Sequence, residues 1–101
     1  KLIEKGDVVA TVGCLTRFAV YLELALFALN RSWWLNDKTA LAEIAAFAEA
    51  PADFGPRLEA ILAAPGATPS ALAASTRALE AIFRETAALA GELYTPKYAL
   101  R

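Results

Sequence analysis

The stretch Asp7-Val8-Val9-Ala10-Thr11-Val12-Gly13-Cys14-Leu15-Thr16-Arg17-Phe18-Ala19-Val20-Tyr21-Leu22-Glu23-Leu24-Ala25-Leu26-Phe27-Ala28-Leu29 decides the fold. Val8, Val12, Leu15, Ala19, Leu22, Leu26 and Leu29 recur at alternating steps of four and three, the spacing of one apolar helical stripe. Asp7 is placed to cap it, because a carboxylate there faces backbone amides that have no helical partner. The spacing predicts a helix over residues 8–31. Gly13 inside it costs roughly 1 kcal/mol relative to Ala, and the expected return is close backbone approach by a neighbouring helix. Val9, Phe18, Val20, Leu24 and Phe27 make a second apolar side, so the helix is central in its bundle or shared with another domain. A third face carries Cys14, Arg17, Tyr21, Leu24, Ala28 and Arg31. It reads either as a partly solvated face where long side chains snorkel or as a stripe turned toward a substrate or domain. Cys14 is expected to be a small buried hydrophobe.

Outward from this helix the chain is mostly Ala/Leu helix broken by clear stops. Residues 32–35 make the first connection, and Asn36 is the expected N-cap of a second helix reaching Ala48, with Leu41, Ile44, Ala45 and Ala48 inward. Pro51 ends that segment. Asp53 is placed to cap a third helix from Phe54 to Ala63, where Pro56 falls in the tolerant first turn. Pro65-Gly66 breaks the chain again. Thr68-Pro69 starts a fourth helix reaching Leu93, because a capping hydroxyl precedes a proline at the first helical position. Its stripe reads Leu72, Thr76, Leu79, Phe83, Thr86, Ala90 and Leu93, with Glu80 and Arg84 as an i,i+4 pair. Residues 94–101 form a tail. No strand alternation occurs. Short connections imply antiparallel neighbours. The expected fold is therefore all-α: an up-and-down four-helix bundle with two long helices (1 and 4) and two short ones (2 and 3). The expected core is Leu22, Leu26, Leu29, Leu41, Ile44, Leu58, Ile61, Leu72, Leu79 and Phe83.

A chain of 101 residues supports a single domain with one modest core. Its hydrophobic content of 57% exceeds the usual figure of about 45–50%, an excess that is partly Ala and partly surface for a partner. Ten basic and eleven acidic residues are interspersed without a basic stripe, which excludes a general nucleic-acid-binding surface. A single cysteine forms no internal disulfide and fits a reducing cytoplasm. Residues 8–29 are long enough to span a bilayer, but Arg17 and Glu23 would each cost about 2.5–3.5 kcal/mol at its centre, so no membrane span is expected. The chain starts at Lys1 and holds no methionine; the expectation is a fragment, the C-terminal part of a longer protein.

Histidine is absent, which removes Ser-His-Asp and Cys-His catalysis and histidine metal sites. There is no glycine-rich phosphate loop, and the carboxylates are too scattered to hold catalytic magnesium. No cofactor, no metal and no independent catalysis are expected of this chain. What stands out is Asn30-Arg31-Ser32-Trp33-Trp34-Leu35-Asn36-Asp37-Lys38, which packs amides, two indoles and both signs of charge into one turn. The tryptophans read either as a plug over the bundle end or as stacking surface for a base or sugar. Lys38 sits against the helix dipole, a placement that favours an outside anion.

Gly6-Asp7-Val8, Gly13-Cys14-Leu15-x-Arg17, Leu26-Phe27-Ala28-Leu29-Asn30 and Trp34-x-Asn36-x-Lys38-x-Ala40-Leu41 together resemble the helical C-terminal region of bacterial nucleotidyltransferase-fold proteins, the kanamycin-nucleotidyltransferase-like group. The match covers roughly residues 5–42. The resemblance implies a cytoplasmic, substrate-binding or scaffold half that closes over nucleotide and acceptor held by an N-terminal catalytic domain, which is missing here along with its Gly-Ser motif and metal carboxylates. By motif match, Asn30, Trp34, Asn36 and Lys38 are the implied substrate-binding positions, with Arg17 next. The rival reading is a helical dimerisation or interaction module; a third is a binder of small apolar ligands.

A length mismatch adds an interface expectation. Short second and third helices cover only half of the long pair, leaving Val9, Val12, Leu15, Ile82, Phe83, Leu89 and Leu93 with few neighbours. Large apolar patches mark interfaces. This end, with Val9, Val12, Gly13, Phe83 and Leu89 and with Gly91 close by, is therefore expected to dock on the missing catalytic domain or on a second copy.

Overall fold

The computed structural model describes residues 7–34 and 37–93. The order of elements is α1 (Val8–Leu29), α2 (Asp37–Ala45), α3 (Phe54–Ala63) and α4 (Pro69–Leu93), and no strand occurs among the described residues. The fold is the expected all-α bundle. α1 and α4 are long, with 22 and 25 residues, and α2 and α3 short, with 9 and 10. α1 and α4 make the most extensive pairing; α3 touches all three other helices, and α2 does not pack on α4.

Local chemistry accounts for most of the boundaries. Asp7 Oδ1 accepts from the Ala10 amide at 3.0 Å, the expected cap. α1 ends two residues earlier than its periodicity predicts, in a complete left-handed cap. Arg31 has φ 56°, its amide donates to Ala28 O at 3.1 Å, and the Ser32 amide donates to Phe27 O at 2.8 Å. Such a cap satisfies the last carbonyls but normally uses glycine. α2 stops at Ala45, short of the expected Ala48, because Ala46 and Phe47 donate to Glu43 O and Ile44 O in tighter i→i−3 bonds that close a helix end. Asn36, its expected cap, lies outside the described residues, as does the tail. Thr68 Oγ1 accepts from the Ala71 amide at 3.2 Å, and Pro69 opens α4, as expected. Gly66 has φ +113°, and a Cβ there would meet Ala71 Cβ at 2.5 Å, so only glycine suits this turn.

Asp53 corrects one expectation. It stands at the N-cap of α3 but is left-handed, with φ 54° and ψ 37°, and makes no side-chain capping bond; a capping side chain needs extended backbone there. Arg57 ties this corner instead. Its Nη1 donates to Ala52 O at 3.0 Å and to Glu85 Oε1 at 2.6 Å, and its Nη2 donates to Glu85 Oε2 at 2.7 Å. That fork of bonds holds the Glu85 carboxyl below its usual range and raises Arg57 above its own. Both side chains are substantially exposed, so the pair orients α3 on α4 more than it stabilises them. No ion pair forms between Glu80 and Arg84, contrary to expectation.

The core gathers Leu15, Ala19, Leu22, Leu26 and Phe27 from α1 with Ile44, Phe54, Leu58, Ile61, Leu79 and Ile82. Leu26, Leu72 and Ile82 are completely buried. Seven of the ten expected core residues are buried, and Leu29 and Leu41 are half-buried. Phe83 is the exception at 45% exposed. α4 steps by three from Leu79 to Ile82 rather than by four to Phe83, and Phe83 lies at the seam's edge against Phe18, ring centroids 5.5 Å apart.

Candidate functional site

The sequence singles out the end of α1, and the structure brings Asn30 and Trp34 together there with buried partners. Asn30 is the C-cap residue. Its Nδ2 donates to Leu26 O at 2.7 Å and to Glu49 O at 2.8 Å, while its Oδ1 accepts from the Glu49 amide at 3.0 Å. Both ends of the amide are committed to backbone, which is how a part-buried amide avoids a desolvation cost. The side chain clamps the α2–α3 connection onto the end of α1. In the same place Phe47 meets Phe27 edge-on at 4.9 Å, and Pro51 is buried.

Trp34 is half-buried against the core, and its indole Nε1 donates to Glu23 Oε1 at 3.3 Å. Glu23 is buried at 8% exposure. One of the two charges that argue against a membrane span is thus an internal acceptor on the face of α1 under the turn. The two tryptophans divide the two readings between them: Trp34 is the plug over the bundle end, and Trp33 stands 87% exposed. Lys38 is exposed in the first turn of α2. Arg17 does not join this group. It lies more than three turns back along α1, about 20 Å away at 1.5 Å per residue, and its Nη2 lies 3.4 Å from Cys14 Sγ. Cys14 itself is exposed, not the buried hydrophobe expected; it sits on the outer face with Arg17.

The residues expected at an interface lie toward the opposite end. Val9 is 85% exposed, and Val12 and Leu89 are half-buried. Leu15 and Ile82, expected to lack neighbours, are buried because α1 and α4 cover each other there. The side chain of Leu93 lies outside the described set. A Cβ on Gly13 would meet only Arg17 Nη1, at 3.6 Å, and one on Gly91 would meet nothing within 4 Å. No described helix therefore uses the close approach expected at Gly13. Thr11 is buried at this end, and its Oγ1 has no hydrogen-bond partner.

The third face read from the sequence, which left open whether it is solvated or turned toward a substrate or domain, is the seam that the structure leaves open on α1. Ala10, Cys14, Arg17, Tyr21, Leu24 and Ala28 follow steps of four and three, and all are exposed or half-exposed, Tyr21 at 62% and Leu24 at 40%. The signal was present in the third face of the sequence, but only burial shows that nothing among the described residues covers it. A shallow cleft of about 560 Å³ lies between α2 and α3, lined by Leu41, Phe47, Phe54 and Gly55. No group of three or more His, Cys, Asp or Glu that could hold a metal occurs among the described residues. No family model, curated protein or solved structure matches the chain.

Proposed function

We propose that this chain is a helical docking module, whose task is to present the outer face of α1 to a partner. The accessory-domain role implied by the resemblance to nucleotidyltransferase-fold proteins is one form of this, with the catalytic domain as partner. The observation that supports it is the composition of α1. The helix is apolar and long enough to cross a membrane, yet only a third of its most apolar stretch is buried. Glu23 is turned inward, so Arg17 is the single charged residue left on its outer surface. A helix of a self-sufficient domain normally turns a polar face to water. Direct contact with a nucleotide has less support, because Asn30 and Trp34 already spend their polar atoms internally.

The docking reading requires that the open face be dispensable for folding. Leu24→Glu is expected to leave the stability within about 0.5 kcal/mol in urea melts, as for surface substitutions that touch no structural feature. A loss above about 1 kcal/mol would assign the face to the fold and end the reading. Calorimetric titration with ATP separates the substrate-binding form: a measurable affinity that Lys38→Ala weakens at unchanged Tm would return the site to the α1–α2 turn.

A further inference from the structure

We infer that the open seam of α1 pairs with the same seam of a second copy, antiparallel, about a two-fold axis beside Ala19. This deepens the docking-module reading and rests on it. The seam Ala10, Cys14, Arg17, Tyr21, Leu24 and Ala28 has the four-three spacing by which helices pack at a shallow left-handed angle. A two-fold axis at residue 19 lays Ala10 opposite the partner's Ala28, Cys14 opposite the partner's Leu24, and Arg17 opposite the partner's Tyr21. Any such spacing superposes its positions in this way; the residue types need not suit. Here they do. Small residues meet at both ends and let the helices close. The only charge on the seam meets an aromatic ring instead of its own copy.

Charge decides the direction of pairing. In a parallel pair in register, Arg17 would face Arg17 of the partner, and like charges held together at an interface cost several kcal/mol. In the antiparallel pair, each guanidinium is offered the face of a tyrosine, a favourable cation–π arrangement, twice by symmetry. Arg17 and Tyr21 have the freedom to meet, since both are exposed and the Arg17 guanidinium is held only by a weak contact to Cys14 Sγ at 3.4 Å. The seam is a single helix face, so the pair is expected to be a weak, concentration-dependent dimer.

The lone cysteine reports the register. With the axis at residue 19, the two copies of Cys14 lie about 15 Å apart along the helices, beyond the span of a disulfide. Leu24→Cys brings a second thiol opposite Cys14. Mild oxidation of the full chain is expected to crosslink Leu24→Cys into a dimer and leave the wild type largely uncrosslinked. Sedimentation equilibrium is expected to show a concentration-dependent wild-type dimer, weakened at least about tenfold by Tyr21→Arg, which sets arginines against each other at both crossings. Flotation with phosphatidylcholine vesicles is expected to leave the chain in the soluble fraction. A monomer at every concentration, efficient crosslinking of the wild type through Cys14, or flotation with the vesicles overturns the inference. If the chain is monomeric while Leu24→Glu keeps native stability, the docking reading stands and the partner is a different protein. If Leu24→Glu unfolds the chain, both readings fall.

Discussion

At its C-terminal end, α1 leaves little unfinished. Asn30 spends its amide on three hydrogen bonds, Trp34 gives its indole N–H to Glu23, and a left-handed residue closes the helix. At its N-terminal end, Val9 is 85% exposed, a Cβ on Gly13 would meet only Arg17 of the same helix, and the buried hydroxyl of Thr11 has no partner. Among the described residues, the side-chain packing around α1 is thus finished at one end and open at the other. Among the described residues, the α2–α3 connection is bonded to the C-terminal end of α1, and α3 reaches along α4 as far as Glu85. For the proposed docking role, what matters is that Asn30 and Trp34 at the finished end already have internal hydrogen-bond partners.

Leu26 lies where the core is tightest, with no exposed surface. Leu26→Ala is expected to cost about 2–5 kcal/mol; a loss below about 1 kcal/mol in denaturant melts would show that the finished end is loosely packed. Asn30→Ala should cost about 2–3 kcal/mol, because it leaves the part-buried amide and carbonyl of Glu49 without partners, and hydrogen exchange at the Glu49 amide should accelerate. A neutral result would break the contrast between the two ends. At the other end the sign reverses. Thr11→Val removes an unpaired buried hydroxyl at nearly constant shape and should raise stability by about 1 kcal/mol. A loss on thermal melting would show that the Thr11 hydroxyl has a partner in solution.

Much of the architecture was legible because punctuation and periodicity agree. Asp7, the Thr68-Pro69 pair and the Pro65-Gly66 break locate three helix boundaries by local chemistry alone. What was not legible depends on partners far along the chain. A residue on α4 cannot reveal by spacing whether the turn after Leu79 places Ile82 or Phe83 inward, since steps of three and four both fit a 3.6-residue repeat; packing on α1 chose Ile82. Asp53 has the right type for a cap, but its backbone is left-handed and the Arg57–Glu85 fork ties the corner instead. Asn30 was conspicuous in the sequence as a binding candidate, and nothing local shows that its partner is a backbone 19 residues away.

That separation also bears on the order in which the chain folds. The Asn30–Glu49 clamp closes a loop of 19 residues, whereas the contact of Phe18 with Phe83 closes one several times longer. Each doubling of loop length adds about 0.6 kcal/mol to the entropic cost of closure, so the hairpin of α1 with the α2–α3 connection is about 1 kcal/mol cheaper to form than the pairing of the long helices. By this closure term alone the clamp is expected to form ahead of the Phe18–Phe83 contact, while α4 is tied to the end of α3 by the still shorter closure of Ser75 on Pro65, 10 residues apart. Until the Phe18–Phe83 contact forms, the apolar face of α1 meets water, and the open half of the helix is where misassociation during folding is expected.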